Sequence, residues 1–275
     1  MEEIIKRYLN YNHEKENQKV NFKKNHKKEE VDLMESKKGF LTVATGKEHY
    51  YQIAANLLES YRYCTPEDER LPFAILCDQE NEYTKKFDKV IIIDNPNFSY
   101  LDKIEMLRLA PFEQNIFIDA DCLVYNPINY LFDKFNGLTG VRFIGDTLPL
   151  NTKNGWFLYD DIGEYKNSIS FIPNFHGGMF YFSNDEMTKR VYNMALEINR
   201  DYYKYKFHLF EKPADEPIFA LCISVLNLKP VYPDEETKRS LVFAPSYKKT
   251  RCNILKHKLQ IISDNKKSID YNILH

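Results

Sequence analysis

The spacing of apolar residues between positions 39 and 118 limits the folds open to this chain more than any other feature. Four short runs are almost continuously apolar or β-branched: Phe40-Leu-Thr-Val-Ala-Thr45, Phe73-Ala-Ile-Leu-Cys77, Val90-Ile-Ile-Ile93 and Ile116-Phe-Ile118. Each is closed by Gly or Asp: Gly46, Asp78, Asp94 and Asp119. Runs this short suit strands and are too brief for helices. Between them, Tyr51, Ala54, Ala55, Leu58 and Tyr61 recur at helical spacing over residues 48–62, as do Leu101, Ile104, Leu107 and Leu109 over residues 99–110. A strand that is apolar at every position must be covered on both faces. Such strands alternating with helices predict an α/β fold: a mostly parallel sheet with helices on both faces. Ligands of these sheets bind beyond the carboxyl ends of the strands. That rule points to Ala44-Thr45-Gly46, Asp78, Asp94 and Asp119-Ala120-Asp121. Asp78 and Asp94 read as loop caps or turn formers.

The second half is less regular. Residues 139–145 and 178–183 read as strands, and residues 185–200 and 215–227 as helices. From Thr147 to Pro173 the sequence is rich in Asn, Gly, Asp and Tyr and is expected to be a long, mobile loop, a kind of connection that often serves function. It carries the single Trp, Trp156, a candidate for stacking on a ligand. Residues 1–38 are dense in charge of both signs and are expected to form an arm, helical or poorly ordered, ahead of a folded domain spanning 39–275.

Charge and cysteine content exclude some classes of function. The formal net charge is −2, so no overall field attracts nucleic acid. Cys64, Cys77, Cys122, Cys222 and Cys252 are five in number and show no C-x-x-C spacing, which speaks against a disulfide framework or zinc cluster. No apolar leader opens the sequence, and no apolar run nears the ~20 residues that span a bilayer. The expectation is a cytoplasmic protein. Lys248, Lys249, Arg251, Lys256 and Lys258 form a basic cluster, either a solvated face or a peripheral contact with anionic lipid at the inner face of a membrane.

The chemistry centres on Ile116-Phe-Ile-Asp119-Ala120-Asp121. In extended chain, positions two apart point to the same side, so both carboxylates face one spot at the carboxyl end of the sheet. Two neighbouring carboxylates repel each other unless a cation joins them. A hard divalent cation accepts such oxygens and keeps positions for diphosphate oxygens. A pair of solvated acids at a strand end is the structural alternative.

Phe-Ile-Asp119-Ala-Asp121-Cys-Leu-Val-Tyr-Asn-Pro-Ile resembles the D-x-D stretch of GT-A glycosyltransferases, especially family 8 enzymes and their bacterial relatives. Those enzymes hold a nucleoside-diphosphate sugar, usually a UDP-sugar, through Mn²⁺ at that motif. Four other stretches agree in order. Residues 40–50 resemble the first strand and nucleotide loop, which implies donor contacts at Ala44 and Thr45 and base stacking by Tyr50. Residues 100–109 resemble the helix whose basic residue, here Lys103, lies near the phosphates or sugar. Phe175-His176-Gly177-Gly178 resembles the strand beside the donor sugar, and Ala214-Asp215-Glu216-Pro217 the start of the next helix. His176-Gly177 stands where the family usually has Asn-Ala, and Glu216 where it has Gln. The family takes a C-terminal His as third metal ligand; His257 is the nearest candidate by position.

The resemblance implies a GT-A (Rossmann-like, nucleotide-diphospho-sugar transferase) fold and a metal-dependent, retaining glycosyltransferase. Asp119 and Asp121, with His257, would hold Mn²⁺ or Mg²⁺. Lys103, Ala120 and Gly177 would line the nucleotide-sugar site, and Asp215, Glu216 and His176 would act on the donor sugar. The acceptor would be a glycan, a lipid-linked sugar or a protein. Inversion would instead need a base, for which Asp146, Asp160, Asp215 and Glu216 are candidates. A sugar-1-phosphate nucleotidyltransferase and a non-catalytic glycan-binding protein on the same fold are the alternatives. The first usually has a Gly-rich basic loop after strand one, where this chain has a single Gly.

Overall fold

The structure is a computed structural model that describes residues 37–207, 212–234 and 237, and the backbone of three strands near the C-terminus. Nearly all of the charged arm, Lys248, Lys256 and His257 lie outside the described residues.

Strands β1 (Lys38–Ala44), β2 (Phe73–Cys77), β3 (Lys89–Ile92) and β4 (Gln114–Ile118) are parallel neighbours in one sheet. Two later strands, β6 (Val141–Leu148) and β7 (Ile172–Ser183), complete it in the order β3-β2-β1-β4-β7-β6. Only β7 runs against its neighbours. The continuous apolar runs have a simple cause. Successive side chains alternate between two separate cores: Phe40, Phe73, Ile75, Ile116 and Ile118 enter one, and Leu41, Ala74, Leu76 and Phe117 the other. Helix α1 (Glu48–Cys64) and the short α3 (Leu131–Lys134) cover the first core with Tyr51, Leu57, Leu58, Tyr61 and Phe132. Helices α2 (Asp102–Leu109), α4 (Glu186–Arg200) and α5 (Asp215–Val225) cover the second. Asp185 lies just outside α4 as its N-cap, its carboxylate accepting the N–H of Thr188 at 2.8 Å.

Beyond the large sheet, β5 (Leu123–Val124) pairs antiparallel with β10 (Ile273–Leu274), and β8 (Lys249–Asn253) with β9 (Lys258–Ile262). Among the described residues no helix is long and apolar enough to cross a membrane. Cys64, Cys77, Cys122 and Cys222 are buried thiols.

The segment expected as a loop from Thr147 to Pro173 is a loop over residues 149–171, held down by buried side chains. Strand β6 continues to Leu148 and β7 begins at Ile172. Residues 149–171 hold two 3₁₀ segments, Tyr159–Asp161 and Gly163–Ser168, and bury Phe157, Ile162, Ile169 and Phe171. The Trp156 ring lies against Phe175, centroids 5.9 Å apart. The apolar residues scattered through this polar stretch anchor it to the core.

Two features of the sheet create the site. The chain leaves β1 for β2 on one side, and β4 lies on the other, so the connections diverge between β1 and β4. A crevice opens at such a switch point. The second feature is in β7. Its pairing with β6 jumps from Phe143↔Phe180 to Gly145↔Phe175. The surplus residues, around His176-Gly177-Gly178, form a bulge, a device that re-aims groups beside active sites.

Candidate functional site

The carboxylate turn follows directly from β4. The Asp119 N–H donates to the Gly178 carbonyl of the bulge at 2.9 Å, and the Cys122 N–H donates to the Asp119 carbonyl at 3.0 Å. Residues 119–122 therefore form a β-turn, which corrects the expectation of extended chain there. The two carboxylates are still carried on one turn, but they are set differently: Asp119 is half-buried and Asp121 exposed. Ala120 is half-buried between them, and Ala44, the last residue of β1, is buried.

Lys103 joins three elements. From the first turn of α2 its ammonium lies 2.7 Å from Asp119 Oδ1 and 3.3 Å from Asp215 Oδ2, at the start of α5. The Phe117 and Tyr100 rings flank it, with centroids 5.4 and 5.9 Å from Nζ. Burial alone would favour the neutral amine, but the Asp119 and Asp215 carboxylates outweigh it and hold the Lys103 pKa well above its usual value. Burial pushes the Asp215 carboxyl up, opposed by Lys103.

Glu216 reaches the bulge. Its Oε1 accepts the Gly177 N–H at 2.7 Å. The approach is so close that a Cβ on residue 177 would lie 2.6 Å from Glu216 Cγ, which requires glycine there. Burial pushes the Glu216 carboxyl up to about 7, and the Gly177 N–H only partly offsets this. His176 is half-buried, and its Nδ1 accepts the Gly178 N–H at 3.0 Å. In the neutral ring that leaves the proton on Nε2. One side of this imidazole therefore shapes the bulge that positions Asp119.

On the other side of the crevice, the loop after β1 is closed from within. Asp78 Oδ1 accepts the Gly46 N–H at 3.0 Å and the Tyr51 hydroxyl at 2.5 Å, the capping role read for it. Gly46 has φ +89°, a left-handed conformation. Thr45 donates its hydroxyl to Asp102 Oδ2 at 2.6 Å. Tyr50 is exposed on the first turn of α1, its ring beside His49. Asp102 was missed in the sequence, where an acid in a first helical turn reads as a dipole partner. Its one local signal is Asn97 five residues earlier.

The cluster fits a hard cation in part. Among the described residues, four carboxyl groups, Asp119, Asp121, Asp215 and Glu216, lie on the β4 turn and at the start of α5, with the Lys103 ammonium against Asp119 and Asp215. Such an excess of acid repels a diphosphate unless a cation comes with it. Asp119 and Asp121 offer carboxylate oxygens, the donors that Mn²⁺ and Mg²⁺ accept. Among the described residues no three His, Cys, Asp or Glu side chains gather as a complete metal site.

The sheet order, the β1–β4 switch and the carboxylate turn closing β4 are those of a GT-A fold. Solved structures agree. The galactosyltransferase LgtC, in complex with donor and acceptor sugar analogues, is similar with a TM-score of 0.57 and 12% identity, covering 86% of each chain. An active-site glutamine-to-glutamate mutant of LgtC is similar with a TM-score of 0.56 and 12% identity, again over 86% of each chain. At that identity the likeness carries the fold. No family model and no curated protein matches the sequence.

Proposed function

We propose that this protein is a metal-dependent glycosyltransferase that moves a sugar from a nucleoside diphosphate, UDP by preference, to a glycan, lipid-linked or protein acceptor. The observation that carries the reading is the Lys103 ammonium set between Asp119 and Asp215 at the carboxyl end of β4. It combines fixed positive charge with a carboxylate turn where a diphosphate must be bound and released. Asp119 and Asp121 would hold Mn²⁺ or Mg²⁺, which when bound supplies charge neutralisation for the departing diphosphate. Lys103 holds the Asp119 and Asp215 carboxyl groups in place through its contacts with both. Asp215 and Glu216, at the N-terminus of α5 beside the β7 bulge, face the donor sugar, with His176 shaping the strand opposite. Of the acids weighed as a base, Asp160 is exposed and paired with Lys166, and Asp215 is tied to Lys103. Glu216, with a pKa about 7, is best suited to hold or take a proton there. Retention of anomeric configuration, as in family 8, belongs to the proposal.

The nucleotidyltransferase alternative is less well supported. A phosphate-cradling loop after β1 needs open backbone N–H groups, and here the Gly46 N–H is already taken by Asp78.

The test is a screen of nucleotide-sugars for Mn²⁺-dependent hydrolysis or transfer by the full chain. One or more UDP-sugars should be turned over, excess EDTA should abolish turnover, and Asp121→Ala should do the same with an unchanged melting temperature, because that side chain is exposed. Full turnover in EDTA or in Asp121→Ala would sink the metal assignment. Absence of turnover and of thermal stabilisation by every nucleotide tried would sink the reading itself.

A further inference from the structure

Phe98 has a left-handed backbone, φ 53°, which residues with a Cβ seldom adopt. Its ring is 63% exposed, so burial does not offset the strain. A buried carboxylate holds it there. Asp102 is 1% exposed. Its Oδ1 accepts the backbone N–H of Asn97 at 2.6 Å and the Asn97 side-chain amide at 3.3 Å, while its Oδ2 accepts the Thr45 hydroxyl. The loop before α2 is thereby fastened to the loop after β1. The Phe98 ring comes to rest over Gly46, where an added Cβ would lie 3.1 Å from Phe98 Cδ1. Strain of this kind persists where the surroundings impose it, and it concentrates at ligand clamps.

The place of this ring in the sheet indicates what it meets. Three adjacent strands carry the site, in the order β1-β4-β7. The carboxylate turn for a diphosphate closes the middle strand. Gly177, with Glu216 against it, belongs to β7 on one side, and Gly46, under Phe98, follows β1 on the other. A nucleotide-sugar has the same linear order of base, diphosphate and sugar. With its diphosphate at β4 and its sugar toward β7, its base falls toward β1.

We propose that Phe98 is a stacking platform for the planar base of the nucleotide, and that Asp102 is the positioning residue that presents it. The proposal rests on the glycosyltransferase reading and moves base stacking from Tyr50 to a residue outside the resembling motifs. Stacking on an aromatic face is tolerant of base identity, so the platform supplies affinity and leaves base choice to other groups.

Calorimetry on the full chain with Mn²⁺ tests it, using UDP and inorganic pyrophosphate as separate probes. Phe98→Gly should bind UDP roughly tenfold more weakly and pyrophosphate as the wild type does. It should also melt at the same or a higher temperature, because glycine relieves the left-handed strain. Phe98→Tyr should retain UDP affinity. Asp102→Asn should weaken UDP more than pyrophosphate and have little further effect in the Phe98→Gly background. Unchanged UDP affinity in Phe98→Gly, with wild-type turnover of a nucleotide-sugar, overturns the platform and leaves the glycosyltransferase reading standing. Equal loss of UDP and pyrophosphate shows a structural role and also overturns it. A wild type that binds neither probe removes both proposals together.

Discussion

At the scale of single residues, the charge state of Glu216 is the most consequential. Desolvation raises its pKa from 4.5 to about 7, with neighbouring Asp215 adding to the rise, while the Gly177 N–H and Lys103 oppose it. Between those pH values the folded protein binds a proton that the unfolded chain has released. Stability from this site is therefore greatest below about 4.5 and is lost as pH rises through about 7. Glu216→Gln keeps an oxygen for the Gly177 N–H and cannot ionise. Its melting temperature relative to wild type should climb between those two pH values and then level off, with a gain on the order of 3–6 °C at pH 8. Thermal unfolding from pH 4 to 8.5 checks this; a difference independent of pH would show that Glu216 does not titrate in that range. Turnover should fall in the same variant if proton exchange at the donor sugar matters.

At the scale of elements, the bulge in β7 makes a strand serve the site at two points. Its Gly178 carbonyl fixes the Asp119 N–H, and its Gly177 N–H fixes Glu216. Gly177→Ala places a methyl group 2.6 Å from Glu216 Cγ, so the carboxylate must leave or α5 must shift. The variant should lose roughly a hundredfold in turnover, on the scale of one misplaced catalytic group. In a Glu216→Ala background the obstacle is gone, and Gly177→Ala should then cost little more. Kinetics on the four proteins of this cycle give the coupling. Additive losses would mean that the glycine is needed for the bulge itself. Helix α2 shows why spacing alone misleads here. Lys103 and Arg108 are five apart, and only Lys103 enters the site; Arg108 pairs with Glu105 in solvent at 2.7 Å.

For the molecule as a whole, residues 149–171 are the main departure from expectation. Their composition suggests a lid, but Phe157 and Ile162 are fully buried in the core that β6 and β7 share with α5. Opening this segment would expose those rings and aliphatic groups to water, at a cost of roughly 1.5–3 kcal/mol for each. Amide hydrogen exchange should therefore be slow around Phe157 and Ile162 and fast at the exposed Lys153-Asn154 turn, with or without UDP. Rapid exchange throughout 156–162 in the free protein would show that the segment opens after all.

The continuous apolar runs by themselves determined the strands and their two-sided burial, because successive side chains of a strand point to opposite faces and both must then be covered. Phe40 and Leu41 enter opposite cores for that reason. The position of Asp119 at the end of β4 was equally legible, since a strand and the turn closing it are local. The role of Asp78 was legible as a loop cap, while the loop it caps was not. Which carboxylate receives an ammonium, and which stays half-protonated near neutral pH, depends on partners far away in the chain. Lys103, Asp119 and Asp215 meet only because β4 and β7 are neighbours and α5 packs against β7, so that its first residue reaches the Lys103 ammonium beside Asp119. Asp102 looks like any acid in a first helical turn until the fold buries it against Asn97 and Thr45. Desolvation and long-range pairing set charge states, and neither exists until the sheet has closed.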